Sequence, residues 1–483
     1  MSNSKRDPER QAVPNPAPSA NGNTGISNAG PRPLPYGVAD YFWDEAAQRK
    51  ELEFRLYALF QRWGYTLVIP PTFEYADTFY ARADAEFQTE MYRFPDKDGT
   101  LLALRPEMTI PVARLAATRL HDSPLPQRYC YMGSVFRYIE PRAGRQREFF
   151  QAGMELIGAP SAEADAEVVA LSAAAVQAAE ITEFQLVLGQ LEYFHGLLQD
   201  LALTSPQADA LGQAIDRNSE PQLFEFLTTT PLRTQQRRTL EALPGLRGEN
   251  PFAVLDQAER HCLNHRMYNS LATLRNICKV LEGYDLLDHV YLDLTEINNL
   301  GYYTGLSFEV LTPRSGNSLG GGGRYDQLLG SFGHDSPAVG AALGIDRLLH
   351  ARHRQQHTAT RIRSVYPQIV IDTQGDPGCL PYIQQWRDHG LRVAVQFQPD
   401  PAAPAPQSAA PRAHTPDDAT RPAEAIRIVW RDQAFHVDWP TGTRQSQYAR
   451  DQHAELLAHL TTTLAPSFAQ DPNWAKQSTG RSS

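Results

Sequence analysis

The chain reads N-N-L-G-Y-Y-T-G-L-S-F-E over residues 298–309, G-G-G-G-R-Y-D over 320–326 and G-I-D-R-L over 344–348. Four consecutive glycines let the backbone approach a ligand closely or adopt positive φ, and a plain hairpin turn accounts for only one or two of them. Tyrosine offers an aromatic wall and a hydroxyl partner for a ring nitrogen. The sequence therefore predicts a ligand pocket built on β-structure, with strands over 307–311 and 318–322.

Working outward, short apolar runs alternate with polar turns, as expected for an antiparallel sheet whose hairpins carry polar residues into a cleft. The further predicted strands are 65–69, 101–104, 128–132, 135–138, 148–157 and 290–294. Helical spacing of apolar residues predicts helices over 39–63, 163–179 and 338–349. The predicted fold class is α+β, an antiparallel sheet flanked by helices.

Composition divides the chain into a discontinuous core and several attached segments. The predicted core covers 37–190 and 286–350, interrupted by a helical insertion over 191–285 that is rich in Leu, Gln, Glu and Arg. A linker over 351–365 leads to a C-terminal α/β unit over 366–463, with strands near 368–372, 391–397, 426–430 and 435–439 and helices near 379–388 and 446–460. A Pro/Ala-rich flexible loop is predicted over 399–425, and disordered tails over 1–36 and 464–483.

Composition also restricts the class of protein. No run of apolar residues is long enough for a membrane span, and the N-terminal residues do not form a signal peptide. Four scattered cysteines without a C-x-x-C favour reduced thiols in a cytoplasm. The net charge is −10 and no basic stripe is evident, which argues against a strong grip on a nucleic-acid backbone.

Three upstream strings carry further polar residues: L-R-P-E-M-T (104–109), F-R-Y-I-E-P-R (136–142) and G-R-Q-R-E-F-F-Q-A-G-M-E (144–155). A buried carboxylate and hydroxyl, here Glu107 and Thr109, suit a bound ammonium group, whereas a surface glutamate in a turn is the alternative. Gln151 and Glu155 share one face of a strand because they are four residues apart. The alternative there, a solvated strand face, is disfavoured by the apolar residues around them.

Together these strings resemble the core of histidyl-tRNA synthetase, a class II aminoacyl-tRNA synthetase, in the order expected over residues 39–350. The resemblance implies a histidine site formed by Glu107, Thr109, Arg137, Gln151, Glu155, Tyr302, Tyr303 and Tyr325. It also implies a vestigial nucleotide side at Arg145 and Arg347. Adjacent strand residues face opposite sides, so at most one of the paired tyrosines should line the pocket directly; the resemblance favours Tyr303.

Two positions depart from the synthetase pattern. Asn298 stands where the synthetase has a catalytic arginine, and Ile139 stands where it has a glutamate. Glu140 does not replace that glutamate, since a shift of one residue in a strand reverses the face. Loss of one preorganised charge at a developing oxyanion costs about 10²–10³ in rate. The resemblance therefore implies histidine binding without catalysis and without a catalytic residue.

Within this superfamily the departures look most like the regulatory subunits of ATP phosphoribosyltransferase. That resemblance implies a short-form catalytic phosphoribosyltransferase as partner, histidine as ligand, a dimer within a hetero-oligomer, and no cofactor. Eight arginines against eleven acidic residues over 366–460, with no lysine, make tRNA an unlikely partner of the C-terminal unit. A divergent histidyl-tRNA synthetase and a stand-alone amino-acid-binding module remain as alternatives.

Two histidine clusters are candidate metal sites. His261, Cys262 and His265 resemble half of a zinc site, and His350, His353 and His357 share a predicted helical face. The first cluster has no further ligand nearby in sequence. For both clusters, solvated or packed histidines are the preferred interpretation, and no metal is expected.

Overall fold

A nine-stranded sheet is the centre of the fold in the computed structural model, which describes residues 34–80, 85–139, 146–217, 219–296, 302–313, 315, 317–355, 369–396, 426–439 and 445–464. Within this part of the chain the strands are β1 (Thr66–Leu67), β2 (Phe73–Tyr75), β3 (Arg93–Pro95), β4 (Leu101–Leu104), β5 (Gln127–Phe136), β6 (Glu148–Ile157), β7 (Gln185–Gln190), β8 (Arg247–Gly248), β9 (Val290–Asp293), β10 (Leu306–Leu311), β11 (Gly320–Arg324), β12 (Ala338–Gly344), β13 (Ile369–Asp372), β14 (Val393–Gln396), β15 (Ile426–Arg431), β16 (Ala434–Asp438) and β17 (Gln445–Ala449).

The helices of the same residues flank these strands. They are α1 (Trp43–Arg62), α2 (Ala76–Tyr80), α3 (Ala85–Thr89), α4 (Thr109–Arg119), α5 (Ala162–Ala178), α6 (Leu191–Leu201), α7 (Ser205–Asp216), α8 (Glu220–Thr229), α9 (Thr234–Ala242), α10 (Pro251–Glu259), α11 (His265–Gly283), α12 (Ile345–Gln355), α13 (Leu380–Asp388) and α14 (His453–Leu464).

The large sheet has the strand order β1-β5-β6-β12-β11-β10-β7-β9-β8. All of its pairs are antiparallel except β1 with β5 and β7 with β9. A three-stranded sheet, β2-β4-β3, precedes α4, and a five-stranded sheet, β14-β13-β15-β16-β17, lies in the C-terminal unit. The predicted α+β class is confirmed, with a sheet that is antiparallel in most but not all of its pairs.

One apolar core joins α1, α5 and one face of the large sheet to the helices after residue 190. Leu56, Val169, Phe308 and Leu274 are all fully buried in it. A second cluster beneath α4 holds Tyr131 and Tyr325, and the C-terminal unit has its own core around Trp386 and Trp430. Burial of this many large side chains is the main stabilising contribution to each unit. The domain boundaries given above stay a prediction.

No helix in the described ranges is both long and apolar enough to cross a membrane.

The predicted helix over 338–349 is wrong in its first half. Residues Ala338–Gly344 form β12, which is paired on both sides, with β6 and with β11, before α12 begins at Ile345. A central strand covered on both faces is a continuous apolar run, which periodicity does not distinguish from a buried helix. Gly340 and Gly344 within the run were the signal for a strand.

Other expectations differ in detail. The predicted strands 128–132 and 135–138 are one strand, β5, and the strand predicted over 65–69 is only Thr66–Leu67. The C-terminal helix begins at His453 instead of 446, because Gln445–Ala449 pairs with β16 at the edge of its sheet. Residues 191–283 hold the helices α6 to α11 and the short strand β8. Pro206 and Pro221 stand in the first turns of α7 and α8, where proline is tolerated.

Candidate functional site

A cavity of about 250 Å³ lies on the glycine-rich face of the large sheet. The strand alternation of β6 places Gln151 and Glu155 on the same face, and their partners across the ladder on β12 are Gly344 and Gly340. Small residues therefore leave space above the strands. The cavity is lined by Glu107, Thr109, Arg137, Phe149, Gln151, Tyr302, Tyr303, Glu309, Ser318, Gly320, Gly321, Tyr325, Gly340, Ala341, Ala342, Gly344 and Arg347.

Two glycines of the sheet allow a neighbouring side chain to pack directly against the backbone. A Cβ on Gly340 would lie 1.5 Å from Oε2 of Glu155, and a Cβ on Gly323 would lie 2.9 Å from the ring of Tyr303. Both distances are far below contact, so any larger residue would displace the glutamate or the tyrosine. Gly323 of the glycine run and Gly340 of the neighbouring strand thus shape this cavity, because each leaves room for a side chain packed against it.

Glu107 is held at the beginning of α4. Its Oε2 accepts from the backbone N–H of Thr109 at 2.7 Å and its Oε1 from that of Ile110 at 2.6 Å. Free N–H groups at a helix start favour a carboxylate there. Burial raises the pKa of Glu107, and the two backbone donors and the Arg137 charge oppose that shift. The helix therefore fixes an acidic group at the cavity wall.

Arg137 provides a cation close to this carboxylate. Its Nε donates to the carbonyl oxygen of Pro106 at 2.8 Å, and its guanidinium lies 4.9 Å from the ring centroid of Phe87 and 5.6 Å from that of Phe149. Aromatic faces stabilise a cation in this position. The cavity therefore contains acidic and basic groups on one wall, which suits a zwitterionic ligand.

The aromatic wall contains both paired tyrosines. Tyr302 and Tyr303 lie before β10 instead of in a strand, and both line the cavity, with ring centroids 5.1 Å apart. The expectation that at most one of them lines it is wrong, because strand alternation does not apply in a turn. Tyr325 completes the wall, 6.0 Å from Tyr302.

Gln151 offers an acceptor at this wall. Its Oε1 is buried, and no hydrogen-bond partner for it lies among the described residues. An unpaired buried carbonyl costs free energy, so a donor on a ligand would be favoured here.

Glu155 lies beneath the cavity floor and does not line it. It is fully buried under Gly340, and the Tyr325 hydroxyl donates to its Oε2. Burial raises the pKa of Glu155 to about 8; the Tyr325, Thr109 and Tyr131 hydroxyls oppose the shift and the Glu107 charge adds to it. The carboxyl is therefore mostly protonated at neutral pH.

This pKa predicts a pH dependence of stability. A folded-state pKa above the unfolded value of 4.5 means that the stabilising contribution is present below pH 4.5 and is lost as pH rises through about 8. Between pH 5 and pH 8, the free energy of unfolding should fall relative to a Glu155→Gln variant by roughly 1 kcal/mol per pH unit. Urea unfolding of both proteins across this range measures the difference, and parallel pH profiles would contradict it. Burial also raises the pKa of Asp165 to about 6. Asp165 is present in both proteins, so its contribution cancels when their pH profiles are compared.

The far end of the cavity holds Arg347, Ser318 and Glu309. Arg347 Nη1 donates to the Ser318 carbonyl oxygen at 2.9 Å, and burial raises the pKa of Glu309, a shift that Arg347 opposes. Arg145, Asn298 and Glu140 lie outside the described residues. Ile139 stands where the synthetase has a glutamate, and its carbonyl oxygen accepts a hydrogen bond from Arg147 Nε at 3.1 Å.

Sequence reasoning missed Glu309 and the anchor of α12. Glu309 is the one acidic residue in the apolar run L-S-F-E-V-L, and a charge in a predicted central strand was the available signal.

Asp346 accepts from Arg49 and Tyr41 and from the backbone N–H of Phe150 at 3.3 Å, which fixes the helix that carries Arg347. No local pattern indicates this contact, because its partners are about 200 to 300 residues away.

No cluster of three potential metal ligands occurs in the part of the chain that the structure describes. His357, a member of one weighed cluster, lies outside it.

Comparisons with known proteins agree with this architecture. Residues 37–348 match the family model described as histidyl-tRNA synthetase. The chain is 40% identical to an ATP phosphoribosyltransferase regulatory subunit of Syntrophotalea carbinolica, over 71% of this chain and 79% of that protein. It is 42% identical to the protein of the same name from Moorella thermoacetica, over 67% of this chain and 82% of that protein.

A solved structure shows the same fold at lower identity. The crystal structure of an ATP phosphoribosyltransferase regulatory subunit/histidyl-tRNA synthetase from Bacillus halodurans superposes with a TM-score of 0.68 at 30% identity, covering 75% of this chain and 92% of that one. The chain therefore belongs to the histidyl-tRNA synthetase family and, within it, to the regulatory subunits of ATP phosphoribosyltransferase.

Proposed function

We propose that this chain is a non-catalytic subunit that binds free histidine in the cavity and transmits feedback inhibition to a short-form catalytic ATP phosphoribosyltransferase. Through that partner it would take part in the first step of histidine biosynthesis. The observation that carries the proposal is one cavity lined by Glu107, Arg137, Gln151 and three tyrosines. These groups match the ammonium, carboxylate and imidazole of one amino acid.

The assignment of groups follows from charge. The ligand ammonium would lie against Glu107 and Thr109, its carboxylate near Arg137, and its imidazole among Gln151 and the tyrosines. Glu155 would act from beneath the floor, through Tyr325, instead of by direct contact. The volume of about 250 Å³ lies below the range typical of drug-sized ligands, which favours a ligand the size of an amino acid over a bulky adenylate.

Catalysis of aminoacylation is not part of this proposal. The synthetase glutamate position is Ile139, which offers no charge, and its arginine position is Asn298. Loss of two coupled charged groups should make activation of histidine negligible. The alternative, a divergent histidyl-tRNA synthetase, predicts robust activation.

Two assays on the pure full-length chain test the function. We expect ATP–pyrophosphate exchange with histidine and Mg²⁺ to stay at background, at least about 10³-fold below an authentic synthetase. We expect histidine to inhibit the short-form phosphoribosyltransferase only when this chain is present. The catalytic subunit alone is the control. Robust exchange, or inhibition that does not depend on this chain, would contradict the proposal.

Self-association is also proposed. The outer face of the three-stranded sheet, defined as Phe73, Tyr75, Phe94, Leu102 and Leu104, is apolar. Phe73 and Tyr75 are 52% and 63% exposed, Phe94 and Leu104 are partly buried, and Leu102 is buried. Nearby Ile69 is 81% exposed. A contiguous apolar face favours a partner surface, and the helix and strand preceding it resemble the dimer-forming motif of class II synthetases. We propose that a second copy covers it.

We also propose a cytoplasmic location. All four cysteines are unpaired, which suits a reducing compartment.

A further inference from the structure

Arg105 is a buried cation that no part of the proposed site uses. Only 7% of its surface is exposed, and its guanidinium makes its hydrogen bonds to main-chain carbonyl oxygens. Burial lowers its pKa, and the Glu74 charge opposes that shift. A buried arginine held by carbonyl groups fixes backbone segments to one another.

Three consecutive carbonyl oxygens of one turn accept from this residue. Arg105 Nη1 donates to Pro70 at 2.8 Å and to Pro71 at 3.3 Å, and the Arg105 backbone N–H donates to Thr72 at 2.9 Å. This turn leads directly into β2, which carries Phe73 and Tyr75 of the outer face. Arg105 therefore fixes the beginning of that face.

The other contacts of Arg105 lead to the cavity. Its Nε donates to the Ser134 carbonyl oxygen at 2.7 Å, and its own carbonyl accepts from Phe136 N–H at 3.0 Å. The next carbonyl, that of Pro106, accepts from Arg137, and the residue after it is Glu107. Both charged groups proposed to bind histidine thus act on the short loop that begins at Arg105.

Gly133 makes room for the guanidinium. A Cβ at this position would lie 2.6 Å from Arg105 Nη2 and 3.3 Å from its Cζ. Gly133 and Arg105 therefore form a fitted pair. Neither residue lines the cavity, and Gly133 pairs with the lining residue Gln151 across the β5–β6 ladder.

We infer that Arg105 couples histidine binding to self-association through the outer face. A ligand that engages Glu107 and Arg137 together holds the 105–107 loop in one arrangement, and Arg105 imposes that arrangement on the 70–72 turn. Histidine then strengthens contact between two copies, and association strengthens histidine binding by the same factor. Arg105 is a positioning residue and does not contact the ligand. The inference rests on the proposed histidine site and on the proposed self-association.

Exchange of subunits between donor-labelled and acceptor-labelled full-length chains tests this coupling. Energy transfer reports the exchange rate with and without histidine, and calorimetry reports histidine affinity. In the wild type we expect histidine to slow exchange by at least about fivefold, the lower end of typical couplings. The lysine of the Arg105→Lys variant has a single side-chain nitrogen, which cannot hold the carbonyl groups of both the 70–72 turn and Ser134 as the guanidinium does. In the Gly133→Ala variant, the added methyl group displaces the guanidinium. In both variants we expect histidine to change the rate of subunit exchange by less than about twofold.

Arg237→Ala is the matched control, since it removes an arginine–carbonyl bond, to Leu227, within the helical insertion. It should keep the wild-type effect of histidine. Thermal unfolding identifies any variant that fails to fold, and either folded variant then decides the result. A wild-type chain that does not bind histidine refutes the proposed function. A chain that binds histidine but does not self-associate refutes the proposed second copy together with the role of Arg105. If the wild-type chain self-associates but histidine leaves its exchange rate unchanged or raises it, the role of Arg105 alone is overturned. The same holds if a folded Arg105→Lys or Gly133→Ala variant keeps the wild-type effect.

Discussion

A Glu107→Gln variant should bind histidine at least about 100-fold more weakly than the wild type. The carboxylate is buried and fixed by two backbone donors at the beginning of α4, so it meets a ligand ammonium without reorganisation. Removing one partner of a buried charge pair costs about 3–5 kcal/mol, and each 1.4 kcal/mol is tenfold in affinity. The glutamine amide also offers a donor where the ammonium needs an acceptor. Isothermal titration calorimetry at pH 7 measures the loss.

Glu74→Gln is the matched control for this variant. Glu74 pairs with Arg114 and does not line the cavity, so its histidine affinity should stay within about threefold of the wild type. Urea unfolding of both proteins shows whether the variant is folded and so separates any loss of stability from the loss of binding. If a folded Glu107→Gln protein bound histidine with the wild-type affinity, Glu107 would not be part of the histidine site.

The sequence predicted the location of the cavity because its residues lie in short strings with local meaning. The spacing of Gln151 and Glu155 correctly predicted a common strand face. It did not predict that Gln151 lines the cavity while Glu155 lies beneath it. That difference depends on Gly340 of the neighbouring strand, nearly two hundred residues away, and no local spacing contains it.

Errors arose where a local rule was applied to the wrong element. Alternation was applied to Tyr302 and Tyr303, but these residues precede β10 and both reach the cavity. Helical periodicity was applied to residues 338–349, but pairing with two neighbours made the first half a strand. The sequence shows Arg105 only as part of the L-R-P-E-M-T string, because its five hydrogen bonds join segments that lie up to 35 residues apart in the chain.

Gly340→Ala should remove histidine binding and lower the free energy of unfolding by about 3 kcal/mol. The added Cβ would lie 1.5 Å from Glu155 Oε2, 2.5 Å from its Cδ and 2.7 Å from the Met154 carbonyl oxygen. The carboxyl must move, because the ladder fixes the backbone of β12 on both sides. Overpacking of this kind costs about 1–3 kcal/mol, and the Tyr325 hydroxyl, buried without its acceptor, costs about 1–3 kcal/mol more. Urea unfolding and calorimetry measure the two effects.

Gly212→Ala provides the control because it makes the same chemical change at an open position. Gly212 lies within α7, and a Cβ there would have no atom within 4 Å. Alanine is favoured over glycine inside a helix by about 0.5–1 kcal/mol, so this variant should be slightly more stable and bind histidine normally. If Gly340→Ala instead matched the wild type in stability and affinity, Glu155 would have room to move aside. The close contact between β6 and β12 would then not shape the histidine site.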